Sequence, residues 1–237
     1  MPDARTCGCV DHVDMEPHDQ ASKVAQLIKA GRDREAAQLG ALIETTALVT
    51  TRPTGGTMEA LTQFGQLAGP LGGVVAGINP EQLDARTPCT EFSVRGVLEH
   101  MIGGATAFAA AYRGVPAPVP DLGDVLAGFG PALSDLGAAV SAPGALDATI
   151  ATPFGDVSGD WFARYIVLDG LVHGWDMATA TGQPYDPPDE LVAAVDAFAR
   201  ASLSDLRGDG AFSDPVAPPA NASPIERLAA FTGRQRS

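Results

Sequence analysis

The 237-residue sequence predicts an all-α protein: a helical bundle with an N-terminal helical extension and a short hairpin-like insert. Two observations carry that expectation. Four segments of about 20 residues each repeat apolar side chains at spacings of three and four, the period of a helix with one buried face. The connections between them are short and punctuated by Gly and Pro, and only one stretch, 149–158, reads as extended chain.

Residues 1–18 read as a polar arm, and 22–48 as an amphipathic helix with Val24, Leu27, Ile28, Leu39, Leu42 and Ile43 on recurring faces. Pro53, Gly55 and Gly56 break that pattern, so a boundary is expected there, with an N-terminal part over 1–56 and a bundle domain over 57–237. The first bundle helix is expected over 58–75, followed by a loop over 80–90. Ser93 is a natural N-cap for the second helix, 93–112, whose stripe runs Val94, Val97, Leu98, Met101, Ile102, Ala105 and Phe108. A Pro-rich linker (114–121) leads to a third helix over 122–140, weakened by Gly128 and Pro131. Pro153 and Gly155 sit in the middle of the extended stretch. The fourth helix is expected over 160–181, capped by Asp160 and stopped by Gly182 and Pro184; the fifth starts at Pro188 or Asp189 and runs to 206. A last short helix covers 225–231.

Composition narrows the function. Apolar residues make up 45% of the chain, enough for a packed core, whereas 29 acidic against 15 basic residues give a net charge of -14. Such a surface repels phosphate backbones and anionic lipid, so neither a nucleic-acid nor a membrane partner is expected. No apolar run approaches the roughly 20 residues of a membrane helix, and the first 20 residues lack the pattern of a secretory leader. Three cysteines, Cys7, Cys9 and Cys89, make an odd count that suits a reducing cytoplasm.

The fourth helix carries the chemistry. Phe162, Tyr165, Ile166, Asp169, Val172, His173, Asp176 and Met177 share one side of it, and Leu168, Leu171 and Trp175 make the other side apolar as well. That helix is expected at the centre of the bundle. Asp169 and His173 are four residues apart, one turn from each other on the same face. A carboxylate and an imidazole among bulky apolar neighbours need a partner: either each other, as a structural hydrogen bond, or a divalent metal that takes both. His100, at the edge of the second helix's stripe, is the one other histidine outside the N-terminal arm. Two His and one Asp from two helices would leave coordination positions open for water or substrate.

The segments TPCTEFSVRGVLEHMIGG (87–104), LDGLVHGWDMATATG (168–182) and ASPIERLAAFTGR (222–234) resemble the actinobacterial branch of the DinB-like superfamily. More specifically, they resemble proteins related to the N-terminal domain of mycothiol-dependent maleylpyruvate isomerase. The resemblance covers residues 57–237 and implies a DinB/YfiT-like four-helix bundle holding a divalent metal, zinc first and nickel or iron after it. It assigns the metal to His100, Asp169 and His173, with Asp169 where the isomerase has Glu. It further implies a metal-activated thiol, such as mycothiol, that attacks a small electrophile. Asp176 would act as a base or orient His173, and Arg227 or Arg234 in the tail would supply an anion contact for substrate or cofactor. The isomerase has a second, mixed α/β domain for which this chain has no counterpart. A thiol S-transferase or a related metal-dependent enzyme is therefore expected in place of that isomerisation.

The competing reading is a non-catalytic module that stores a metal or senses a ligand. Cys89 is expected to be an apolar filler, and Cys7, Cys9, His12 and His18 to lie in an arm without a ligand role. The helix over 22–48 would pack on the bundle or pair with another copy in a homo-oligomer.

Overall fold

The structure is a computed structural model and describes residues 58–152, 155–207 and 212–235. The N-terminal arm, the amphipathic segment 22–48 and the boundary near residue 56 lie outside the described residues.

Four helices form the bundle: α1 (Ala60–Ala76), α2 (Val94–Arg113), α3 (Val125–Val140) and α4 (Gly159–Thr181). Two more, α5 (Asp189–Arg207) and α6 (Pro224–Phe231), pack on α4 and on each other. Within the bundle α2 lies against α3 and α1 against α4, while α2 also faces α4 across the core. The architecture is the all-α, DinB-like bundle expected from the sequence. Its extended insert is a two-stranded antiparallel hairpin, β1 (Thr149–Thr152) and β2 (Gly155–Ser158), with Ile150 opposite Val157.

The helix ends follow their capping chemistry. Ser93 caps α2 by accepting from Gly96 N, and Gly114 ends it at φ 65°. The third helix begins later than its pattern predicted, at Val125, because the Asp124 carboxylate accepts from Ala127 N at 3.1 Å. Pro131 is tolerated inside it, as Pro70 is inside α1. The cap of α4 is Ser158, which accepts from Trp161 N. Asp160, expected as that cap, lies in the first turn instead and pairs with Arg164 at 2.8 Å, an i,i+4 ion pair near the positive end of the helix dipole. At the far end of the chain Ser223 and Glu226 form a capping box that starts α6.

Burial explains why α4 carries apolar residues all round. From Phe162 to Ala178 it is enclosed by α1, α2, α5 and α6, and a helix contacted on every side has no polar face to show. At Gly170 the helix α1 packs close: a Cβ there would lie 2.8 Å from Leu67 Cδ2. Asp169, His173 and Asp176 are therefore held on the most deeply buried of the described helices.

Candidate metal centre

The site is built where α2 meets α4, under the loop that precedes α2. Thr87 is buried and the single O–H of its side chain is shared between Phe92 O at 2.7 Å and Cys89 O at 2.9 Å. Those two contacts fold residues 87–92 into a pinned loop that delivers Cys89 and Phe92 to the same place. Phe92 stacks on His100, with ring centroids 5.3 Å apart, and meets His173 edge-on at 6.2 Å. The two imidazoles are themselves 5.0 Å apart, edge to face.

Asp169 stands between the histidines. Its Oδ1 is 3.5 Å from His173 Nε2 and its Oδ2 is 3.6 Å from His100 Nε2. On the other side of the ring His173 Nδ1 faces Asp176 Oδ2 at 3.1 Å. A neutral imidazole carries one N–H, and the shorter contact to a fully buried carboxylate is where it belongs, which leaves Nε2 with its lone pair toward Asp169. Exposure falls steadily inward: 40% for the His100 side chain, 20% for Asp169 and 4% for His173. The outer side of the set opens into a cavity of about 550 Å³. Its wall includes residues 87–92, Tyr165 and Phe212, with Arg234 beside them.

Burial works to raise the Asp169 pKa, but the neighbouring imidazoles of His173 and His100 and the Arg234 charge outweigh it and hold the carboxyl down at about 2. Burial likewise works to lower His100, and the adjacent Asp169 carboxylate carries it above its ordinary value against the opposing charge of Arg234. Burial pushes the Cys89 thiol up; the Arg234 charge opposes this and the Asp176 charge adds to it.

The residues fit a divalent metal. Ligand bonds of about 2.0–2.1 Å at tetrahedral angles separate neighbouring donors by roughly 3.3 Å. The N···O separations of 3.5 and 3.6 Å, one to each oxygen of the Asp169 carboxylate, are close to that edge. They are longer than the roughly 2.7–2.9 Å of a charge-assisted hydrogen bond. The donor atoms of His100, Asp169 and His173 all lie within 4.8 Å of one another, and the imidazole–carboxylate composition suits zinc-like ions over calcium or magnesium.

The sequence-predicted residues are thus largely brought together, with two differences. Asp176 is fully buried and is not part of the cavity wall; it touches His173 and Arg234, so its place is behind the ligand and out of reach of a substrate. Of the two tail arginines, Arg234 reaches the site, with Nε 3.5 Å from Asp176 Oδ2, whereas Arg227 is exposed, donates to Ala222 O and does not line the cavity. Cys89, expected as a core filler, is half-buried and lines the cavity with its sulfur 3.8 Å from Arg234 Nη2. The sequence reading also missed Phe92, whose position just before the Ser93 cap reads equally well as a staple residue. Phe212 and Ser213, also in the wall, lie in a loop that carries no sequence signal.

A family described as the mycothiol maleylpyruvate isomerase N-terminal domain matches residues 64–178, a span that contains His100, Asp169, His173 and Asp176. Two relatives from Mycobacterium tuberculosis, uncharacterized protein MT0763 (strain CDC 1551 / Oshkosh) and uncharacterized protein Rv0738 (strain ATCC 25618 / H37Rv), are each 34% identical over 164 residues, 68% of this chain and 90% of theirs. No solved structure gives a significant match. The chain belongs to the mycothiol maleylpyruvate isomerase N-terminal domain family, in its all-α, DinB-like form.

Proposed function

We propose that the protein is a divalent-metal-dependent enzyme that uses a thiol, mycothiol by family, against a small electrophilic molecule, as a transferase or an isomerase. The observation that carries the reading is the donor spacing: two Nε2 atoms at 3.5 and 3.6 Å from one carboxylate, open on one side to a cavity of about 550 Å³. His100, Asp169 and His173 hold the metal, with zinc first by ligand type. A bound divalent ion supplies the charge that keeps a thiol sulfur deprotonated at neutral pH. Asp176 holds the His173 ring in register and keeps its proton on Nδ1. Phe92 stacks against His100 and shields one face of the set from water. Arg234, at the cavity wall, offers its guanidinium to an anionic group on the electrophile or the thiol. In transfer the sulfur bonds to carbon as the leaving group departs with its electron pair. In isomerisation the sulfur instead adds to one carbon of a conjugated double bond as the π pair moves onto the electron-withdrawing group; after rotation that pair returns, the double bond re-forms and the thiolate leaves.

Tight metal storage would want a closed sphere of ligands, and the exposed His100 and the adjoining cavity favour chemistry over storage. Among the described residues no helix is long and apolar enough to cross a membrane, and a reduced thiol cofactor suits the cytoplasm. The test is elemental analysis of the full chain beside His100→Ala and His173→Ala, followed by thiol-conjugation assays with mycothiol and a chromogenic electrophile. About one zinc, nickel or iron per chain, lost in both variants, with turnover that tracks metal, is the expected result. Metal bound with no turnover of any electrophile would return the site to storage or sensing.

A further inference from the structure

A second set of donors converges on the back of His173. Cys89 Sγ, a nitrogen of His173 and an oxygen of Asp176 lie within 4.8 Å of one another, and His173 Nδ1 is the nitrogen that Asp176 faces. Asp176 is fully buried, and its Oδ1 has no hydrogen-bond partner among the described residues. A buried carboxylate oxygen left unpaired is costly, and it points to something the site is built to receive. Beside the carboxylate's other oxygen, beyond His173 Nδ1, stands a fixed positive charge. Arg234 is 10% exposed, with Nε 3.5 Å from Asp176 Oδ2 and Nη2 3.8 Å from Cys89 Sγ. Both contacts are long for a guanidinium, which otherwise forms close bidentate pairs with carboxylates. Arg234 reaches this position from a turn at Gly233, whose φ of 88° is one that L side chains rarely adopt.

We propose that Cys89, His173 and Asp176 form a second, thiolate-bearing site for a thiophilic divalent ion such as zinc, cadmium or cobalt, and that Arg234 governs its occupancy by holding a guanidinium where that ion would sit. Sulfur, imidazole and carboxylate together select soft and borderline ions and disfavour magnesium and calcium. The site is distinct from the open triad but shares His173 with it, through the opposite ring nitrogen. With Arg234 in place, Nδ1 keeps its proton toward Asp176 and Nε2 is the nitrogen offered to a metal, on the cavity side. With Arg234 withdrawn, an ion on Nδ1 takes the position of that proton, between the buried Asp176 and the cavity-lining Cys89. The chain's tail thus decides which face of one imidazole takes the ion.

The test is a cobalt(II) titration of the full chain with Cys7→Ser and Cys9→Ser, so that Cys89 is the one remaining thiol, read by the near-ultraviolet thiolate-to-cobalt charge-transfer band. In Arg234→Gln the band should reach half-saturation at a cobalt concentration at least about tenfold lower than in the parent, as removal of a nearby unit charge requires. Adding Cys89→Ser should abolish the band, and adding His100→Ala, which breaks only the open triad, should leave it. Arg234→Lys keeps the charge without the fork and should fall between parent and Gln; it gives the same reading should Arg234→Gln lose its helical circular dichroism. Cobalt bound by Arg234→Gln without the band would overturn the inner site, and equal half-saturation in parent and Arg234→Gln would overturn the role of Arg234. Failure of the open triad is read separately, as cobalt binding in Cys89→Ser that His100→Ala leaves unchanged.

Discussion

The His173 ring is held from behind by Asp176 at 3.1 Å, and the orientation of Nε2 toward Asp169 and the cavity depends on that contact. Asp176→Asn preserves the volume but removes the charge that both His173 and Arg234 face. Carboxylates behind a ligating histidine typically raise metal affinity about 10–100-fold, so a loss of that size is expected, measured by competition with a chromogenic chelator. An Asn variant that melts earlier yet binds metal with parental affinity would make Asp176 a core residue only. Arg227→Ala is the matching control: its guanidinium is exposed and off the cavity, and metal affinity should not move. The same residues show what the sequence could and could not reveal. Asp169 and His173 were legible because i,i+4 spacing on one helix fixes their geometry whatever the tertiary fold. Cys89 was not, and Arg234 came only from the family resemblance as one of two tail arginines, because 145 residues separate the pair and both sit on loops whose path is set by tertiary contacts. Period alone could not place Asp176 behind the ligand, since its neighbours on the buried side come from the tail.

At the level of elements, the close approach of α1 to α4 helps bury the ligand helix, and Gly170 permits it. Gly170→Ala gains helix propensity of about 1 kcal/mol, but its Cβ would sit 2.8 Å from Leu67 Cδ2, so a leucine only 2% exposed has to shift. Overpacking of this kind costs about 1–3 kcal/mol, so the steric term should win and the variant should unfold at lower denaturant, with an unchanged m-value. A variant at least as stable as the parent would mean that α1 gives way freely. Ser223→Ala removes one half of the capping box that starts α6 and should cost about 0.5–2 kcal/mol. Because α6 carries the chain toward Arg234, the same variant should raise hydrogen exchange at residues 224–234 while leaving α2 unaffected. Most helices were readable from apolar period and caps, and the errors lay at their starts. Leu122 and Asp160 looked like entrances, but the Asp124 and Ser158 side chains are the ones that reach the free backbone N–H groups. Period says which face is buried; which of several polar residues wins the cap depends on how the incoming chain is aimed.

For the molecule as a whole, the triad joins α2 to α4 across the bundle, so a metal bound there is also a cross-link that the unfolded chain does not offer. A ligand that binds only the native state stabilises it by RT ln(1 + [L]/Kd), which is about 4 kcal/mol when the metal stands at a thousand times its Kd. In a domain of this size, each kcal/mol shifts the melting temperature by about 2–4 °C. Stripping the metal with a chelator should therefore lower Tm by roughly 10 °C, and adding back zinc should restore it in proportion to occupancy. His173→Ala separates this effect from ordinary packing. It removes a 3%-exposed side chain and so melts earlier than the parent, yet its Tm should be the same with and without chelator because the linkage is gone. His100→Ala, at the solvent side, should lose little packing and show the same insensitivity to chelation. A parent protein that melts at one temperature with zinc, without zinc and with chelator would reduce the three residues to a hydrogen-bonded cluster between two helices, and the thiol chemistry would have no cation to rest on.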